Sequence, residues 1–124
     1  MFSCPPLALS VVLVVEDEDL IRMIAADMLQ DEGYTVLEVA TADDAWPLLE
    51  SRSDIGVLFT DVNMPGHMDG LALAARVAER WPHIRLVVTS GRCGLSTHEL
   101  PDNGQFVQKP YHHGDLVSAI AQAA

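Results

Sequence analysis

Val11-Val12-Leu13-Val14-Val15-Glu16-Asp17 is an unbroken apolar run that stops abruptly at two acids. Its length and its valine content favour an extended strand. The run shows no polar alternation, so both faces must be covered, as in a strand inside a parallel sheet. The same pattern returns along the chain. Ile55-Gly56-Val57-Leu58-Phe59-Thr60 leads into Asp61, a run from Ile84 ends at Thr89, and Gln105 to Gln108 leads into Lys109-Pro110. Helix-like segments separate these runs. Strands of a parallel sheet all point one way, so Glu16, Asp17, Asp61, Thr89 and Lys109 would emerge together at the carboxyl edge, where α/β proteins place their ligand sites.

Reading outward from that run predicts five strand-helix alternations and an α/β fold with helices on both faces of the sheet. The first strand spans about Leu9 to Val15. A helix from about Leu20 to Asp31 would turn Leu20, Ile21, Ile24, Ala25, Met28 and Leu29 inward, and Gly33 stands where a C-terminal glycine cap belongs. Tyr34 to Val39 reads as the second strand. Thr41 and Asp44 form a capping box for a helix from Ala42 to Ser51, in which Pro47 should cause a kink or an early end. Beyond the third strand, Asp61 to Met68 is a loop with Pro-Gly turn chemistry, and Asp69 can cap a helix from Gly70 to Arg80 that ends at Trp81-Pro82. The stretch from Gly91 to Gly104 leaves room only for a short helix near Ser96 to Leu100, and Asp115 to Ala123 closes the chain with Leu116, Val117 and Ile120 inward.

The 124 residues suit one domain, 9–124, preceded by a flexible leader, 1–8. With 49% hydrophobic residues the chain has the composition of a compact globule. A net charge of -11 with seven Lys and Arg argues against binding nucleic acid or an anionic membrane. No apolar stretch approaches a membrane span. Cys4 and Cys93 have neither zinc-site nor disulfide spacing, so the reducing cytoplasm is the expected compartment. No DNA-binding domain is expected beyond the last helix, so the chain is expected to act through binding other proteins.

Three carboxylates, a hydroxyl and an ammonium suit a hard divalent cation beside a phosphoryl group. Mg²⁺ takes oxygen ligands and keeps several waters. Asp61 and Asp17 would bind it directly and Glu16 through water, with a backbone carbonyl of the following loop, Asn63, as a further ligand. Clustered carboxylates repel, so without the metal one of them should have a raised pKa. Asp61 would serve as nucleophile toward phosphorus, forming an acyl phosphate. Lys109 would place a point charge on a phosphoryl oxygen, and Thr89 a hydrogen bond on another.

The chain resembles a response-regulator receiver domain of bacterial two-component signalling. The matching stretches are Leu13-Val14-Val15-Glu16-Asp17-Glu18, Phe59-Thr60-Asp61-Val62-Asn63-Met64-Pro65, Met68-Asp69-Gly70, Leu86-Val87-Val88-Thr89-Ser90-Gly91 and Phe106-Val107-Gln108-Lys109-Pro110. They occur in the family's order from about Leu9 to the end. The resemblance implies the flavodoxin-like (CheY-like) doubly wound five-stranded parallel sheet, strand order 2-1-3-4-5. It implies Asp61 as phosphoacceptor, Glu16 and Asp17 as the acidic metal pair, Asn63 as the carbonyl ligand, Thr89 as switch hydroxyl, Lys109 as phosphate-binding lysine and Phe106 as switch aromatic. It also implies a cis Lys109-Pro110 bond. The implied partners are a sensor histidine kinase or phosphotransfer protein upstream and a protein target on the face of the fourth helix, fifth strand and fifth helix, with dimerisation on activation among the outcomes. The resemblance extends to stand-alone and hybrid-kinase receivers, and Lys109-Pro110-Tyr111 is similar to those associated with some alphaproteobacterial kinases. The chain departs from the commonest pattern at Gly66-His67, which makes the loop after Asp61 one residue longer.

Two alternatives compete. A Mg²⁺-dependent phosphatase with an aspartyl-phosphate intermediate also places Asp after a strand, but usually has a second Asp where this chain has Asn63, and a cap over its substrate. A flavodoxin-like cofactor binder would need a Gly-rich phosphate loop after the first strand, and none is present. His67 and the pair His112-His113 read as surface residues. Trp46 and Trp81 read as packing or boundary residues.

Overall fold

The computed structural model describes residues 11–62, 69–90, 104–109 and 111–123. Their elements are β1 (Val11–Val15), α1 (Asp19–Asp31), β2 (Thr35–Val39), α2 (Ala42–Ser51), β3 (Ile55–Asp61), α3 (Gly70–Arg80), β4 (Arg85–Ser90), β5 (Gln105–Gln108) and α4 (His113–Ala123). The strands form one parallel sheet in the order β2-β1-β3-β4-β5, as expected. The leader, the short helix near Ser96 to Leu100 and the loop after Val62 lie outside the described residues.

Alternation along the strands divides the core in two. Val11, Leu13 and Val15 join Leu58, Leu86 and Val88 beneath α2 and α3, with Leu49, Leu73 and Val77. Val12 and Val14 join Val57, Phe59, Val87 and Val107 beneath α1 and α4, with Leu29, Leu116 and Ile120. Burial on both faces is why these strands read as continuous apolar runs.

Local chemistry sets the helix ends. Thr41 Oγ1 accepts from the Asp44 N–H at 3.1 Å, and Asp69 Oδ1 from the Ala72 N–H at 2.8 Å. Gly33 takes φ +96°, the left-handed conformation that stops α1, and its N–H donates to Gln30 O. Pro47 neither ends nor shortens α2, which keeps its full expected span. α4 starts at His113, two residues earlier than expected, because His112 O accepts from the Asp115 and Leu116 N–H groups and Asp115 Oδ2 accepts from the His112 N–H. Trp46 of α2 and Trp81 meet edge to face at 5.2 Å, and Arg80 lies over both rings while pairing with Glu50.

The inner face of α1 differs from the expected one. Leu20 is 67% and Ile24 43% exposed, while Ala25, Ala26 and Leu29 are buried. The helical phase follows Arg22, whose Nη1 donates to Glu16 O at 2.8 Å. The stripe Arg22, Ala25, Ala26, Leu29 then faces the sheet at ideal helical spacing, which turns Leu20, Met23 and Ile24 outward.

Candidate functional site

Strand register assembles the site. After β1 the chain builds β2 on one side, then crosses back to place β3 on the other, so the carboxyl ends of β1 and β3 flank the point where winding reverses. Val15 pairs with Thr60, which sets Glu16 level with Asp61. Asp61 pairs directly with Thr89. Lys109 follows β5 by one residue, and its N–H donates to Ser90 O at 2.9 Å. Four strand ends thus deliver Glu16, Asp61, Thr89 and Lys109 to one cleft, with Asp17 at its rim.

Lys109 Nζ lies 2.8 Å from Glu16 Oε1 and 3.2 Å from Asp61 Oδ2. The three side chains are mostly enclosed, with Glu16 at 2% and Asp61 at 5% exposure. Glu16 Oε2 also accepts from the Glu18 N–H at 3.1 Å, so its carboxylate is held from both ends. The approach of Lys109 to Glu16 Oε1 is an ion pair without hydrogen-bond alignment.

One ammonium therefore faces two buried carboxylates. Burial pushes the Glu16 carboxyl up, and the Asp61 charge adds to this, against the lowering effect of Lys109 and the Glu18 N–H. Glu16 is thus the raised carboxylate that a metal-free cluster is expected to contain. Lys109 is opposed by its own burial, yet the two carboxylates hold its ammonium above the usual lysine value.

Oxygens of Glu16, Asp17 and Asp61 all lie within 4.8 Å of one another. An all-oxygen donor set with surplus negative charge, and with Glu16 Oε1 lacking a hydrogen bond, fits a hard cation such as Mg²⁺. Asn63, the expected carbonyl ligand, lies outside the described residues, as do His67 and the Lys109-Pro110 bond through Pro110. Thr89 is buried, with its Oγ1 free of any hydrogen bond. Phe106 is half-buried against the α2–α3 side of the core, beside its register partner Val88. His112 and His113 are exposed, as expected, and His113 Nε2 lies 3.3 Å from Glu32.

Three contributors were given no role at the site from the sequence. Arg22 holds the Glu16 carbonyl, and its position on the first turn after the acidic pair is the only hint in the sequence. Gly70 N–H donates to Val62 O at 3.0 Å, and a side chain on Gly70 would collide with the Asp61 carbonyl. Tyr111 packs edge-on against Phe59 with centroids 5.9 Å apart, and its hydroxyl is buried without a partner.

Residues 12–121 match the family model described as the response regulator receiver domain. The chain is 32% identical over 115 residues to the sensor kinase CckA of Brucella abortus, covering 90% of this chain and 12% of that kinase. It is 29% identical over 112 residues to the response regulator receiver protein CpdR of the same organism, covering 88% of this chain and 92% of that protein. A crystal structure of a response regulator receiver protein from Sinorhizobium medicae superposes with a TM-score of 0.83 at 26% identity, over 92% of this chain and 93% of that one.

Proposed function

The chain belongs to the response regulator receiver domain family, and from that premise we propose that Asp61 is the residue that carries the phosphoryl group. One observation carries the assignment: Asp61 sits at the winding reversal with Lys109 Nζ at 3.2 Å, Thr89 opposite it in register and the Glu16 and Asp17 carboxylates alongside.

The donor is a phosphohistidine on a kinase or phosphotransfer protein. An Asp61 oxygen forms the new P–O bond as the P–N bond breaks, and the electron pair returns to the imidazole nitrogen, which takes a proton from solvent. Mg²⁺ would be held by Asp17 and Asp61, with Glu16 through water and the Asn63 carbonyl as the further ligand that the family implies, and would supply charge neutralisation for the phosphoryl oxygens. Lys109 leaves its resting pair to bind another of those oxygens. The unengaged Thr89 hydroxyl donates to a third, drawing β4 toward the site. Phe106, only half-buried at rest, turns into the space this opens.

The output is a change in the affinity of the surface built by β5 and α4 for a protein partner. Moving such a balance from mostly off to mostly on takes about 5 kcal/mol of differential stabilisation, a scale that a phosphoryl dianion with a lysine and a hydroxyl can approach. The exposed trio Leu20, Met23 and Ile24 starts only a few residues beyond Asp17 and offers the apolar surface on which a phosphodonor would rest. The only chemistry assigned to the chain itself is its own phosphorylation and the loss of that group.

Incubation with acetyl phosphate and Mg²⁺, followed by ³¹P NMR, tests the reading. A receiver takes up one acyl phosphate per chain and turns over no unrelated phosphate ester. Continued multiple-turnover hydrolysis of a small ester such as p-nitrophenyl phosphate would instead identify a phosphatase.

A further inference from the structure

The two acids that follow β1 share one peptide unit. The Glu16 carbonyl and the Asp17 N–H belong to a rigid plane that carries both Cα atoms, so the tilt of that plane sets the direction in which each side chain leaves. The Glu16 end is tied down by its neighbours. Its N–H donates to Val39 O at 3.1 Å, and its Oε2 accepts from the Glu18 N–H at 3.1 Å. Asp17, at the rim, takes its direction from the plane.

One side chain grips that plane from outside the sheet. Arg22, 18% exposed, donates from Nη1 to the Glu16 carbonyl at 2.8 Å. Its Nη2 lies 2.7 Å from Asp19 Oδ1, and its own N–H donates to Glu18 O at 2.9 Å. The Asp19 arm is 84% exposed and contributes little stability by itself. It does keep the planar fork turned so that Nη1 meets the carbonyl. On the receiver reading above, on which this inference rests, we propose that Arg22 is a positioning residue for the metal. Through the Glu16–Asp17 peptide it aims the Asp17 carboxylate at the point where oxygens of Glu16, Asp17 and Asp61 come within 4.8 Å of one another.

Charge and position act in opposite directions here, which makes the role separable. A guanidinium beside the site repels a divalent cation, so charge alone predicts that Arg22→Met, which keeps the apolar stem, tightens Mg²⁺ binding. Loss of the grip predicts the reverse, since losing a group that orients a metal ligand typically weakens binding by about tenfold or more. A residue that merely braces α1 would lower Tm and leave the affinity of the folded protein no weaker.

Mg²⁺ titrations of the full chain at constant ionic strength, followed by ¹H–¹⁵N NMR well below each Tm, measure the difference. The dissociation constant is expected to rise about tenfold in R22M. Arg22→Lys keeps the charge but has one ammonium for two acceptors, so it too is expected to bind Mg²⁺ more weakly than wild type. Affinity in R22M equal to or tighter than wild type would overturn the proposal, whatever happens to Tm. Should R22M fail to fold, affinity in R22K equal to or tighter than wild type would overturn it instead. Wild-type protein with no saturable shift at the Asp17 and Asp61 amides would overturn the metal site of the receiver reading as well, and so the two failures are told apart.

Discussion

Glu16 and Lys109 set the electrostatic character of the resting site. Two enclosed carboxylates share one ammonium, and the imbalance falls on Glu16, whose pKa rises above its ordinary 4.5 through burial first and the Asp61 charge second. The folded chain therefore holds the Glu16 proton more tightly than the unfolded chain does. Stability of the metal-free protein should fall as pH rises from 4.5 through the raised value, and Mg²⁺, which binds the carboxylate form, should offset the loss. The expected outcome is a Tm difference between Mg²⁺-loaded and metal-free protein that widens with pH across this window. Thermal melts with and without Mg²⁺ would measure it, and a difference independent of pH would contradict the account. Lys109 acts at the opposite end of the scale, since its contribution is lost only when pH rises past its raised value. Glu16, Asp17, Asp61, Thr89 and Lys109 were legible in the sequence because each ends or follows an apolar run. Tyr111 was not, because a phenol beyond a Lys-Pro pair looks like any boundary aromatic until its hydroxyl is seen to be buried.

At the scale of elements, α3 is pressed against the end of β3. Gly70 leaves no space for a side chain over the Asp61 carbonyl, and its N–H holds Val62 O. Gly70→Ala should push the first turn of α3 away from Asp61, lowering stability by about 1–3 kcal/mol and slowing phosphorylation at Asp61. Urea denaturation together with the phosphorylation rate would measure both, and a variant equal to wild type in each would refute the close approach. The caps at Thr41, Asp69 and Gly33 could be read from the sequence because they depend on neighbours within a few residues. The phase of α1 could not. Apolar residues occur on more than one side of that helix, and the choice rests on Arg22 reaching the Glu16 carbonyl, a contact made only once β1 has delivered Glu16. Pro47 marks a similar limit. Its missing N–H argues for a break, yet α2 continues, with Ala45 and Leu49 buried against the core.

The whole molecule is one parallel sheet with two cores and a reversal of winding between β1 and β3. The strands themselves were visible in the sequence as apolar runs. Their order was not, since parallel pairing joins residues far apart in the chain and leaves no local mark; it followed from the family resemblance. Among the described residues no helix is long and apolar enough to cross a membrane. A net charge of -11 favours partners with basic surfaces and makes their association sensitive to salt. The central claim, that this sheet edge exists to carry a phosphoryl group on Asp61, is tested most directly by intact mass after incubation with acetyl phosphate, with and without Mg²⁺, for wild type and Asp61→Ala. The account predicts a single Mg²⁺-dependent phosphoryl adduct on wild type and none on the folded variant. An adduct that persists in Asp61→Ala would contradict it.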